Sequence, residues 1–176
     1  MAISNTQKSK VLKIINVFET GDPNGKYDSI SIYKDATNKQ GEKMYQITYG
    51  RSQTTEFGNL KRLLELYMSR DGRFSALFQG YISKIGKEPA LHTNAQFKQL
   101  LRQAAREDII MRASQDEFFD MYYYQPAFVW YRGFGFTEAL SLLVIYDSFI
   151  HSGTVPDFLR KRFAERLPLN GGQEKA

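Results

Sequence analysis

Four side chains between residues 19 and 48 have the types and spacing for acid–base chemistry: Glu19, Asp28, Asp35 and Thr48. Glu19 sits in the run VFETG, at the end of an apolar helical pattern. The last turn of a helix exposes unpaired carbonyls, whose partial negative charge disfavours a carboxylate. Val17 and Phe18 beside it predict partial desolvation, which acts in the same direction. A carboxylic acid that keeps its proton near neutral pH is what a general acid needs. Asp35 ends a short predicted strand and opens a polar loop, so it stays solvated, as a base that activates water should. Asp28 is its rival for that role, although it follows Tyr27 at the start of the strand and also suits a turn cap. Thr48 stands on the facing strand, where its hydroxyl can orient a water. Plainer readings exist for each, since Asp is favoured in turns and Thr in strands. Two carboxylates in unlike environments across a helix–hairpin corner fit the acid–base pair of glycoside hydrolysis. A separation of roughly 6.5–9.5 Å admits a water and inverts the anomeric configuration.

The run TYGRSQTTEFGN follows. Gly50 and Gly58 allow close backbone approach to a ligand. Arg51, Ser52, Gln53, Thr54, Thr55 and Asn59 supply hydrogen-bonding groups of the kind that read sugar hydroxyls and acetamides; a polar surface loop has the same composition. Arg51, Gln53, Thr54 and Asn59, with Asp28 and Tyr49, are the candidate substrate contacts. No GxxxxGK[ST] pattern is present, so a phosphate loop fits poorly. His92 and His151 lie far apart and outside any metal-ligand spacing, which predicts surface or core histidines and no metal or other cofactor. Ser152 lies outside any GxSxG elbow. The run RKRFAER at 160–166 reads as the solvated face of a helix. MYYYQPAFVWY at 121–131 reads as partly core, with rings that an extended sugar groove can use.

The elements that must position these residues are mostly helical. Val11, Leu12, Ile15 and Phe18 predict one face of a helix over 7–20, stopped by Gly21. GDPNGK is turn chemistry. Residues 29–33 and 44–49 alternate as two strands of a hairpin, joined by ATNKQGEK. Leu60, Leu63, Leu64 and Tyr67 share a helical face. Phe74, Leu77, Phe78, Tyr81 and Ile85 share another. A long helix is expected from about Ala95 to about Tyr123, capped by Thr93 and interrupted by Pro126. Residues 133–151 predict an apolar central helix, and Pro156 opens a last one through PDFLRKRFAERL. The fold class is therefore α+β and mainly helical, with a small β-hairpin after the first helix. It reads as one domain over 1–170, with a hairpin lobe at about 21–57, a helical lobe at about 58–167 and a flexible tail at 171–176.

With 176 residues, 42% of them hydrophobic, the chain can bury an ordinary core. It has no cysteine, which excludes disulfides, cysteine-ligated zinc and thiol catalysis. The net charge of +5 suits an anionic polymer, but the basic residues are dispersed among acids without a nucleic-acid motif. No apolar run is long enough to span a bilayer, and none reads as a secretion signal.

The order of these pieces resembles glycoside hydrolase family 46, the chitosanases of the lysozyme superfamily. The resemblance rests on VFET, on YKD followed by QITYG, and on QTTEFGNLKRLLELY. ASQDEFFDMYYYQPAF and EALSLLVIYDSFIHSG, with their YD and HxG elements, extend it to about residue 155. It implies a lysozyme-like, two-lobed fold and an inverting, cofactor-free hydrolase cutting β-1,4 bonds of an amino-sugar polymer. By the same resemblance Glu19 is the general acid, Asp35 the base and Thr48 the residue that places the water. Asn59 stands where the family places an acidic residue that recognises glucosamine, which leans the expectation from chitosan toward peptidoglycan. A wall hydrolase without a signal is expected to reach its substrate by lysis or injection, with delivery machinery or an immunity protein as partner. The rival expectation is a carbohydrate-binding or structural module, or an injected cargo, that keeps the fold without the chemistry.

Overall fold

Ser4 accepts the Gln7 backbone N–H while the Gln7 side chain accepts that of Ser4, and this capping box starts helix α1, Asn5–Thr20. Gly21, at φ 71°, ends it with a left-handed cap whose N–H reaches the Val17 carbonyl. The structure is a computed structural model that describes residues 3–51 and 53–174. Val11 and Ile15 are buried as the pattern predicts, but Phe18 is 66% exposed and Asn16 is buried instead. The Asn16 amide donates to the Pro23 carbonyl, tying the turn after α1 back to the helix.

The hairpin is one strand richer than the sequence predicts. Strands β1 (Ile30–Thr37), β2 (Lys43–Tyr49) and β3 (Thr54–Thr55) form an antiparallel sheet in that order. Asp35 does not end β1. It lies inside it, at a bulge: Tyr33 pairs with Gln46 but Ala36 pairs with Met44, so β1 carries one extra residue here.

Helices α2 (Leu60–Met68), α3 (Ser75–Ile82), α4 (Ala95–Glu107) and α5 (Ile109–Phe119) follow. The expected long helix is broken at Asp108, which caps α5 through the Ile110 N–H; α4 is capped by Asn94 and not by Thr93. The buried Asp108 carboxylate also accepts from the Tyr67 hydroxyl at 2.6 Å and the Arg73 N–H at 2.8 Å. These bonds make the break a fixed corner. A π-turn, Asp120–Tyr124, leads into α6 (Gln125–Gly133), so Pro126 sits in the first turn of a helix instead of interrupting one. Helix α7 is Ala139–Ser152; it buries Leu142, Ile145, Tyr146 and Phe149, while Leu140 and Val144 on it are 70% and 63% exposed. Helix α8 is only Asp157–Arg160, and Phe163 beyond it is exposed.

Two hydrophobic clusters divide the molecule. One joins Ile47 and Tyr49 of the sheet to Leu60, Leu64, Tyr67, Phe78, Phe97 and Leu101. The other joins Val11 and Ile15 of α1 to Phe119, Tyr124, Tyr131, Leu142 and Tyr146. The boundary therefore runs through the end of α5, with Phe118 in one cluster, Phe119 in the other and Tyr123 packed against both. The first helix belongs with the last ones. Where the sequence predicts a flexible tail, Glu174 turns back to the start of α7. It accepts from the backbone N–H groups of Thr137 and Glu138 and the hydroxyls of Thr137 and Ser141. Partial burial would raise its pKa, but these donors outweigh it and hold the carboxyl below its usual range.

Asp108→Ala should cost about 3 kcal/mol in urea unfolding, because three donors lose their acceptor. Glu174→Ala should cost roughly 1 kcal/mol by the same measure, the scale of a lost helix cap. The folded-state pKa values of both acids are depressed, so their contributions are present above the ordinary carboxylate range and fade as pH falls.

Candidate active site

Glu19 occupies the last turn of α1, and α1 packs against α7. Its side chain is only 7% exposed. Val17 and Phe18 do not produce this burial, as both are exposed. The surroundings are α7 and the π-turn. His151 Nε2 lies 3.6 Å from Glu19 Oε1 and 3.6 Å from Asp147 Oδ1, and the Tyr123 and Tyr146 phenols feel the charge of Glu19. Desolvation raises the Glu19 pKa most; His151 pulls it down and Asp147 pushes it up, and the net direction is upward. The direction expected from sequence holds, with a different cause in the foreground.

Asn59 precedes α2 without capping it. Its amide instead donates to the Tyr123 hydroxyl at 2.9 Å, so Asn59 reaches the surroundings of Glu19 through a tyrosine. Burial holds the Tyr123 proton more tightly than in a free phenol.

On the sheet, the bulge takes Asp35 out of the strict alternation. The exposed carboxylate accepts from Gln46 Nε2 at 2.8 Å, and Gln46 Oε1 accepts the Phe57 N–H. The Gln46 amide thus links Asp35 to the chain leading into α2. Thr48, two residues along β2 and on the same face as Gln46, pairs with Ser31 on one side and Thr55 on the other. It is 4% exposed, and its hydroxyl has no hydrogen-bond partner among the described residues. A buried hydroxyl without a partner is costly, and a water satisfies it where space allows.

The remaining sequence candidates do other work. Tyr49 is fully buried and donates to the Leu101 carbonyl; Thr54 is 2% exposed and donates to the Tyr49 carbonyl. Tyr49 fastens β2 to α4 and Thr54 ties β3 back to β2, so both side chains are taken up inside the fold. Arg51 is 7% exposed; its guanidinium pairs with Asp116 and lies over the Phe119 ring, and its backbone N–H donates to Gln115. It too is a packing residue. Asp28 accepts from Arg106 Nε at 2.5 Å, an ion pair that joins the entrance of β1 to α4. Gln53, at φ 52°, bonds the Gly50 carbonyl. Ser52 lies outside the described residues. His92 packs against Tyr45. Among the described residues no group of three or more His, Asp or Glu side chains is arranged to hold a metal ion, and no helix is long and apolar enough to cross a membrane.

Sequence reasoning gave no site role to Asp147, His151 or Gln46, and placed Tyr123 only within an aromatic run. Asp147 and His151 were visible as an i,i+4 pair on a helix. Their approach to a residue far away in the chain was not.

No protein-family model and no curated protein matches the chain. Solved structures do. A native chitosanase from Bacillus subtilis MY002 superposes with a TM-score of 0.78 at 22% identity, covering 99% of this chain and 73% of that one. A glycoside hydrolase family 46 chitosanase from Gynuella sunshinyii, in complex with chitotetraose, gives 0.77 at 22% identity, over 97% and 72%. A chitosanase co-crystallised with substrate gives 0.76 at 20%, over 99% and 76%. The chain thus has the lysozyme-like fold of these chitosanases over nearly its whole length.

Thr48→Val removes a hydroxyl that has no protein partner. Its stability in urea should stay within about 0.5 kcal/mol of the parent or rise. A loss above about 1 kcal/mol would show that the hydroxyl is engaged in the fold.

Proposed function

We propose that this protein is an endo-acting, inverting glycoside hydrolase that cuts β-1,4 bonds in an amino-sugar polymer. Glu19 is the general acid, Asp35 the general base and Thr48 the residue that places the attacking water. The observation that carries the reading is the Glu19 carboxyl: nearly buried, at a helix C-terminus, with its pKa raised by desolvation. A carboxyl shifted in that direction is better suited than an ordinary carboxylate to give a proton to the leaving oxygen. Asp35 differs from it in placement and burial, being exposed on a strand and held by one amide donor. That contrast is the division between acid and base that inversion requires. The unpartnered Thr48 hydroxyl, on the same strand pair, supplies a ready partner for a water. Support for the substrate class comes from the fold neighbours, which include chitosanases bound to chitotetraose or to 6 GlcN.

Within that class peptidoglycan is slightly preferred to chitosan. Chitosan is a polycation, and this chain carries +5. Asn59 brings an amide rather than a carboxylate to the tyrosine beside Glu19. An amide suits an acetamido group better than an ammonium, which calls for an anion.

The test is digestion of soluble chitosan and of purified sacculi, with product analysis, by the parent and by Glu19→Gln. The parent should cleave one of the two polymers. Glu19→Gln should lower kcat by about 10²–10⁴, the usual contribution of a general acid, while polymer binding is retained. Cleavage of neither polymer across a range of pH, with binding intact, would leave a carbohydrate-binding module in place of an enzyme.

A further inference from the structure

The Asp147–His151 pair lies outside the acid–base assignment above, yet it is the charged neighbourhood of Glu19. Both side chains project from α7 one turn apart, and His151 Nε2 stands 3.6 Å from a carboxylate oxygen of each acid. At that distance the contacts are longer than ordinary hydrogen bonds. The imidazole is 62% exposed while Glu19 is nearly buried, so His151 is the side of the contact open to solvent. His151 also occupies the last turn of α7, where the helix carbonyls attract a cation. The other groups around Glu19 are the Tyr123 phenol of the π-turn, bonded by Asn59, and the Tyr146 phenol of α7.

We propose that His151 is a positioning residue that sets the pH range over which Glu19 keeps its proton. An imidazolium at this place favours the ionised Glu19 carboxylate, and Asp147 opposes it from the same helix. The balance between these neighbours, added to desolvation, decides how far into the alkaline range the acid stays loaded. This inference rests on Glu19 acting as the acid, but the contact itself is testable without any activity.

The experiment is a carboxyl-carbon NMR titration of Glu19 in the parent, His151→Gln and His151→Lys, paired with the pH dependence of hydrolysis. Removing the imidazole in His151→Gln should move the Glu19 midpoint up by roughly half a pH unit or more. The fixed cation of His151→Lys should move it down. The alkaline limb of kcat/KM should follow the same two directions while polymer affinity stays constant. Glu19 midpoints that stay in place, or move the same way in both folded variants, overturn the inference even if the enzyme is active. Opposite shifts in a protein that cleaves nothing uphold the contact and sink the hydrolase reading instead.

Discussion

The burial of one carboxyl group at the end of a helix is the constraint that the rest of the site depends on. A buried acid with few hydrogen bonds keeps its proton because the ionised form is poorly solvated. For Glu19 the shift is upward, and the groups around it come from α7 (His151, Asp147, Tyr146) and the π-turn (Tyr123). That arrangement needs the core of Val11, Ile15, Phe119, Leu142 and Tyr146, which fastens the first helix to the last ones. It also needs α1 to stop where it does. The left-handed cap at Gly21 turns the chain toward the sheet directly after Glu19.

The second cluster has a complementary task. It seats Ile47 and Tyr49 against α2 and α4, which holds the inner face of β2 still while the other face carries Gln46 and Thr48. The bulge in β1 then brings Asp35 to Gln46. The two clusters meet at Phe118, Phe119 and Tyr123. Asn59, which opens α2, bonds Tyr123 at that junction. One tyrosine therefore couples the sheet side of the molecule to the side that holds the acid.

Much of this was legible in the sequence, and what was not has a common physical reason. The α1 boundaries, the face of α2 and the pairing of β1 with β2 follow from periodicity and from capping residues, which are local signals. Glu19 was legible because a helix end is a local feature too. The break at Asp108 was hidden because an Asp can lie on the polar side of an amphipathic helix; only Tyr67 and Arg73, distant in sequence, make it a corner. The two-residue β3 is too short to carry a pattern. Tyr49, Arg51 and Thr54 looked like ligand contacts because their polarity is visible in sequence while their buried partners Leu101, Asp116 and the Tyr49 carbonyl are not. His151 is the surface histidine the sequence predicts, but its approach to Glu19 depends on the packing of α1 on α7, which leaves no local signal.

The asymmetry between a desolvated acid on a helix and a solvated acid on a strand is the central claim, and it has a stereochemical consequence. When water attacks from the face opposite the leaving group in a single displacement, a β-linked polymer yields product of α configuration first. Proton NMR of the reducing-end anomers during the first minutes of digestion reads this directly, before mutarotation equilibrates them. An initial excess of the α anomer is the expected result. An initial excess of the β anomer would mean a double displacement through a covalent intermediate, and Asp35 could not then be the base that activates water.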